Sequence, residues 1–254
     1  MPAPITVQLY SLREQTANGH HVAVLKTLAD TGFIGVEAAG LYGLRPREFS
    51  SIVKSLGMVV SASHGGLPKA EEYNQAIDIM MDLGTPYYIV AWTPQERWTT
   101  DDGIKALASE IEAARAAFAK HGIILCYHNH EFEFTRLGGK LAIEILLEQS
   151  PALNLEIDTY WAANYATENP AEMVALLKNR TIHLHLKDGT LTPDAKMLAA
   201  GKGRQDFKAI VAAADPAVLK WCAVELDHCE TDMLQAVIDS YRYLVGNGLV
   251  LGNK

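Results

Sequence analysis

Eight short runs of β-branched and aromatic residues recur along the chain, separated by longer amphipathic stretches. The runs are 5-ITVQLY-10, 33-FIGVEA-38, 58-MVVSAS-63, 87-YYIVAW-92, 123-IILCYH-128, 153-LNLEID-158, 181-TIHLHL-186 and 220-KWCAVEL-226. They begin roughly 25 to 40 residues apart, the length of one strand plus its crossover helix. A strand that is apolar along most of its length is buried on both faces, as in a parallel sheet covered by helices. The stretch 102–122 shows the helical half of the unit. There Ile104, Leu107, Ile111, Ala114 and Phe118 recur at three- and four-residue steps, and Gly122 sits where a helix-ending glycine belongs. Thr31-Gly32, Leu56-Gly57 and Leu83-Gly84 stop other helices in the same way. Eight such units in 254 residues predict an α/β fold of the (β/α)8, or TIM, barrel class, in a single domain over 1–254. A doubly wound open sheet is the rival. It usually has fewer strands and often a Gly-rich first turn, and no such turn follows 5-ITVQLY-10.

Composition bounds the partners. With 49% hydrophobic and 20% charged residues the chain is ordinary for a globular protein. A formal net charge of -8 with no basic run argues against nucleic acid. No apolar stretch approaches the roughly 18 residues that span a bilayer, and the N-terminal segment lacks the charged-then-apolar pattern of a signal peptide. The three cysteines, Cys126, Cys222 and Cys229, read as reduced thiols. The expectation is a cytoplasmic enzyme with no membrane partner, compatible with a homo-oligomer.

In a barrel of this class the active site lies at the C-terminal ends of the strands. The first strand delivers Gln8, Tyr10 and then Arg13, the second Glu37, the third His64 and the fourth Trp92. The fifth brings His128, Asn129, His130, Glu131 and Glu133, and the sixth Asp158, Tyr160 and Trp161. The seventh carries His183, His185, Lys187 and Asp188, and the eighth Glu225 and Asp227. Singly, each has an ordinary explanation: a hydrogen-bonded core histidine, or an Asp capping the next helix. His183 and His185, however, alternate with Leu184 and Leu186, so both imidazoles face one way, into the crowded interior. Burying them with Glu37, Asp158 and Glu225 is costly unless a cation balances the charge. Mixed oxygen and nitrogen ligands with no convincing thiolate suit one divalent ion, Mn, Zn, Mg or Co. Cys126 shares the facing of His128 but lies two residues deeper.

The motifs 7-VQLYSLRE-14, 127-YHNHEFEF-134, 157-IDTYW-161, 183-HLHLKD-188 and 224-VELD-227 resemble those of the sugar phosphate isomerase/epimerase superfamily, the xylose-isomerase-like barrels. The loop 201-GKGRQDF-207 is similar to a Gly-x-Gly-x-x-Asp segment that many members carry before the eighth strand. The resemblance covers essentially the whole chain. It implies one divalent ion held by Glu, Asp, His and Glu from strands five to eight. Asp158, His185 and Glu225 match the last three. Aligned on Gly122, the position of the ketose epimerases' metal-binding glutamate carries His128, and glutamates follow only at Glu131 and Glu133. The YHNHxFEF pattern leaves the position of Glu131 variable, so Glu133 is the expected ligand, with His128 and His130 as alternatives.

The activity so implied is that of a divalent-metal-dependent isomerase or epimerase acting on a sugar or keto-sugar through a metal-stabilised enediolate. The runner-up is a lyase, an inosose-dehydratase-like dehydratase of a keto-sugar or cyclitol. The loss of one of two paired glutamate bases suits either a one-base isomerisation or an elimination. His128 or His130 is the expected acid/base, with Glu225 as the fallback, and Lys187 donates to a substrate oxygen. Glu37, His64, Trp92, Trp161 and Arg13 are the expected substrate contacts, Arg13 as a candidate for a phosphate. An AP-endonuclease-like reading needs a three-metal cluster and a basic DNA face. A non-catalytic sugar-binding barrel is at odds with the intact Asp158, His185 and Glu225.

Overall fold

All eight runs become strands in the computed structural model, which describes residues 1–164 and 168–254. The barrel strands are Ile5–Gln8, Gly35–Ala38, Val59–Gly65, Tyr87–Val90, Ile124–His128, Asn154–Asp158, Thr181–Leu186 and Trp221–Val224. Each pairs in parallel with its neighbours in chain order. Val7 pairs with both Val36 of the second strand and Val224 of the eighth, which closes the sheet. The expected barrel is therefore the observed one, with helices between the strands.

Some strands stop short of their apolar runs. Gln8 Oε1 accepts the Tyr10 backbone N–H and starts a 3-10 turn, Leu9–Leu12, so Tyr10 leaves the sheet. The fourth strand ends at Val90, which leaves Trp92 in the following loop, 52% exposed. The helix expected over 102–122 runs Asp101–Ala119, capped by the Thr100 side chain accepting from Gly103 N–H. Its five periodic apolar residues are all fully buried. One small element has no counterpart in the sequence reading: an antiparallel ribbon of Arg136–Leu137 and Lys140–Leu141. Two-residue strands are too short to show an alternation. Their turn is made by Gly138 and Gly139, whose φ values of 57° and 93° are those a two-residue hairpin loop requires.

Register decides what faces the barrel axis. Gln8 pairs with Glu37, His64 with Ile89, Ile89 with Cys126, His128 with Glu156, Glu156 with His183 and Asp158 with His185. Cross-strand partners share a face, so all of these point inward. Ala62, Ile89, Cys126 and Ile182 form a small apolar cluster separate from the main core. Ala62 and Cys126 lie two residues before His64 and His128. The inside of the barrel is therefore apolar at depth and becomes densely ionisable toward the C-terminal strand ends. No helix among the described residues is long and apolar enough to cross a membrane.

Candidate functional site

The ends of strands five to eight bring His128, Asp158, His185 and Glu225 together. Each offers one nitrogen or oxygen, and the four atoms all lie within 4.8 Å of one another. All four side chains are buried. His185 Nδ1 lies 2.7 Å from Glu225 Oε2, and His128 Nε2 lies 3.9 Å from Asp158 Oδ2. Asp158 has two roles. Its Oδ1 accepts the backbone N–H groups of Tyr160 and Trp161 at the start of the following helix, while its Oδ2 faces the cluster and Lys187. Two carboxylates and two imidazoles, buried and convergent, fit a divalent ion of the borderline kind that accepts mixed oxygen and nitrogen donors.

The fourth member of this group is His128, not Glu133. Glu133 lies in the 3-10 turn Phe132–Phe134 beyond the fifth strand. Its Oε1 accepts from the Tyr127 hydroxyl at 2.8 Å and its Oε2 from the His130 backbone N–H at 2.8 Å. Tyr127 alternates with the inward His128 and so points away from the axis, taking Glu133 with it. Burial pushes the Glu133 carboxyl up to about 8, against the hydrogen bonds from Tyr127 and the backbone. Glu131, the other glutamate of the motif, belongs to no such group.

A second ionisable layer lies below the first, and its centre is a residue that the strand-end reading passed over. Glu156, fully buried, meets His64 Nε2 at 2.7 Å, His128 Nδ1 at 3.0 Å, His185 Nε2 at 3.0 Å and His183 Nδ1 at 3.2 Å. The signal was available, because 153-LNLEID-158 puts Glu156 on the face of Asp158 by the alternation that pairs His183 with His185. Glu37 belongs to this layer. It accepts from Gln8 Nε2 at 2.6 Å and lies 2.9 Å from His64 Nε2 and 3.0 Å from His185 Nε2. With no exposed surface, it is a buried partner of imidazoles and does not reach the pocket. Burial opposes the charged forms here, but the mutual attraction wins. Glu37 is held down at about 2, chiefly by His185 and His64, and His64 is raised to about 10 by Glu156 and Glu37.

A pocket of about 410 Å³ opens above the upper group, with His64, Trp92, His128, His130, Lys187 and Glu225 in its walls. Its size is that of a small-molecule site. Lys187, only 1% exposed, places Nζ 2.9 Å from Asp158 Oδ2 and 2.8 Å from both Glu225 Oε2 and Asp227 Oδ2. Its ion pairs are thus with the upper layer, not with Glu37 or Asp188. The His130 ring stacks on Phe132 at 5.8 Å. Burial, then the neighbouring His128 and Lys187, lowers its basicity to about 3, so it is a neutral imidazole.

Two expected substrate contacts are placed elsewhere. Trp161, partly exposed, is not among the pocket-lining residues but stands beside two of them, 5.4 Å from Lys187 Nζ and 6.0 Å from the His130 ring. Arg13 spends its guanidinium on the backbone carbonyls of Tyr10 and Asp227 and lies over the Tyr10 ring at 4.1 Å. It lines a neighbouring polar groove instead. Asp188 is structural as well. Its two oxygens accept from the backbone N–H groups of Gly189, Gly201, Gly203 and Gln205, clamping the Gly-x-Gly loop, while Asp206 caps the next helix at Ala209.

Set beside known proteins, residues 25–242 match the family model described as xylose isomerase-like TIM barrel. No curated protein matches the chain. Among solved structures, a sugar phosphate isomerase/epimerase from Parabacteroides distasonis superposes with a TM-score of 0.83, at 23% identity over 99% of this chain and 96% of that one. The IolI protein with a binding zinc atom gives 0.77 at 12% identity, over 97% of each chain. The probable 3-DHS dehydratase AsbF from Bacillus anthracis gives 0.71 at 13% identity, over 96% of this chain and 99% of that one. At these identities the superpositions speak for the fold.

Proposed function

The chain belongs to the xylose isomerase-like TIM barrel family, and from that premise we propose that it is a divalent-metal-dependent isomerase or epimerase of a sugar or keto-sugar, working through an enediolate. The observation that carries this reading is the convergence of His128, Asp158, His185 and Glu225 within 4.8 Å at the floor of a pocket of small-molecule size. Those four residues would hold the ion, and a neighbour of the same fold described with a binding zinc atom supports the choice of a divalent ion. The ion, Mn, Zn, Mg or Co, supplies Lewis-acid polarisation of a substrate carbonyl, which acidifies the adjacent C–H.

The protein's own groups do the rest. Of the two candidate proton acceptors in the pocket wall, His130 and Glu225, His130 is not drawn into the ligand group and is assigned the proton from carbon, at a basicity that burial and the neighbouring His128 depress. Lys187, held as an ammonium among three carboxylates, offers its charge to the substrate oxygen on which negative charge develops. His64 has one ring nitrogen fixed by Glu156 and Glu37 and presents its ring edge to the substrate. Trp92, half exposed at the rim, supplies an aromatic face for the apolar side of a sugar ring. Three unpaired cysteines support a reducing, cytoplasmic setting for the reaction.

A lyase is the second reading, and the placement of Glu133 supports it as it supports a one-base isomerase, against a two-base epimerase. Epimerisation at one carbon uses a base on each face of a planar intermediate. Here Glu225 lines the pocket while Glu133 is turned to Tyr127, so the proton carriers at the pocket are unlike one another. Elimination needs only one base and one acid. Proton NMR of a panel of keto-sugars and cyclitols in D2O separates the two: exchange at one carbon with interconversion marks an isomerase, and a new alkene signal marks a lyase. Absence of a stoichiometric ion together with absence of exchange across the panel rejects the whole reading.

A further inference from the structure

Both imidazoles of the upper group bridge two layers. His128 turns Nδ1 to Glu156 Oε1 at 3.0 Å below and has Nε2 3.9 Å from Asp158 Oδ2 above. His185 is reversed. Its Nε2 lies 3.0 Å from both Glu156 Oε1 and Glu37 Oε1 below, and its Nδ1 lies 2.7 Å from Glu225 Oε2 above. A neutral imidazole carries one N–H, and the acceptor opposite decides which nitrogen keeps it. A nitrogen that binds a cation must offer its lone pair, so the proton has to sit on the far side of the ring.

We propose that Glu156, with Glu37 beside it, is the positioning carboxylate of this site, holding the N–H of His128 on Nδ1 and that of His185 on Nε2. The two histidines are thereby locked as opposite tautomers, and His128 Nε2 and His185 Nδ1 present lone pairs to the space they share with Asp158 and Glu225. The inference rests on reading that upper group as the cation site. Glu156 does not line the pocket and acts only through the imidazoles. Gln8 Nε2, 2.6 Å from Glu37 Oε1, fixes the second carboxylate from the first strand. Two competing uses of this layer are a cation held by Glu37, Glu156 and His183 and one held by His64, His128, Glu156 and His185, each set with ligand atoms within 4.8 Å of one another. The second would turn His128 Nδ1 into a ligand atom and so reverse the tautomers. Glu156 already engages four imidazoles at 2.7–3.2 Å, and either ion would have to displace those contacts.

Long-range proton–nitrogen NMR of the zinc-loaded wild type reads the tautomers directly. Nδ1–H on His128 and Nε2–H on His185 are expected, and either opposite assignment overturns the proposal even if no variant folds. Glu156→Gln should weaken zinc binding by roughly 10- to 100-fold, the usual effect of losing a ligand's outer partner. It should also alter the cobalt d–d absorption of the protein. A merely structural Glu156 would lower the unfolding midpoint in ion-free buffer yet leave zinc affinity and the cobalt spectrum unchanged, and that result rejects the role. Two ions per wild-type chain at similar affinity reject it in favour of a site in the lower layer. A wild type that binds no ion removes the cation reading itself, and this inference with it, whereas one ion bound equally by both proteins defeats the inference alone.

Discussion

The Tyr127 hydroxyl donates to Glu133 Oε1 at 2.8 Å on the outer side of the fifth strand, so the last glutamate of the strand-five motif is anchored behind the barrel wall. Glu133→Gln should therefore keep a full complement of divalent ion, which metal analysis of the purified variant will show.

The same residue makes a pH prediction. The Glu133 carboxyl is raised from an ordinary 4.5 to about 8 by burial, so the folded chain holds its proton more tightly than the unfolded chain. Below about pH 4.5 both states are protonated and the contribution is fully present. It is lost as pH rises toward 8, and above that the buried charge weighs on the folded state by up to a few kcal/mol. Gln stays neutral throughout. Urea midpoints at pH 5 and pH 9 should therefore fall further for wild type than for Glu133→Gln; parallel curves would show that Glu133 titrates normally.

Much of this site was legible because its residues lie within strands, where alternation fixes facing. His183 and His185 separated from Leu184 and Leu186 on that ground, and Asp158 and Glu225 followed from their positions at strand ends. Glu156 is equally legible by the same rule, two residues before Asp158 on the same face. Glu133 and Arg13 were not legible. Both lie past a strand in a 3-10 segment or its cap, where side-chain direction depends on tertiary partners, Tyr127 in one case and two backbone carbonyls in the other. Trp161 faces its neighbours from the first turn of a helix, and no periodicity in six residues reports on that.

Chelation should lower the thermal midpoint, because the ion binds only the folded chain. An ion at 100 times its Kd stabilises by about 2.7 kcal/mol, roughly 5–10 °C for a chain of this size. In Asp158→Asn/Glu225→Gln the shift on adding EDTA should vanish, and full ion occupancy in that variant would sink the ligand assignment.

Lys187 makes ion pairs with three carboxylates at 2.8–2.9 Å. Lys187→Met should leave ion binding intact, and turnover should fall by at least about a hundredfold if the ammonium stabilises developing charge. The variant should also lose about 3–5 kcal/mol in EDTA, the usual effect of stranding buried charge, and regain part of it when the ion is restored. Unchanged turnover would confine the residue to charge balance.

Gly203 lets the loop close on Asp188. A Cβ there would lie 2.1 Å from Asp188 Oδ1 and 2.4 Å from the Gly189 backbone, with no flexible group to give way. Gly203→Ala should destabilise the fold by roughly 2 kcal/mol or more. It should also open residues 189–206 to limited proteolysis, and wild-type resistance there would show that the clamp tolerates a methyl group.

His128 and His130 lie two residues apart in one motif, yet the structure gives them different surroundings, and their variants should fail differently. His128 belongs to the four-residue group at the strand ends, while His130 is stacked on Phe132 at the pocket wall and bonds Glu133 only through its backbone. His128→Gln should lose the ion, and activity should fall as a consequence. His130→Gln should retain a stoichiometric ion and near-normal substrate affinity, because its ring meets that of His128 only edge-on, 5.3 Å between centroids, and offers no atom to the four-residue group. Solvent-proton exchange at the substrate carbon should meanwhile drop by about 10²–10⁴, the usual worth of a positioned base. Metal analysis and deuterium exchange on the same two preparations decide the matter. Ion loss in His130→Gln would make it a ligand in place of His128. Full exchange in His130→Gln would move the base to Glu225, the remaining carboxylate shared by the pocket and the cluster.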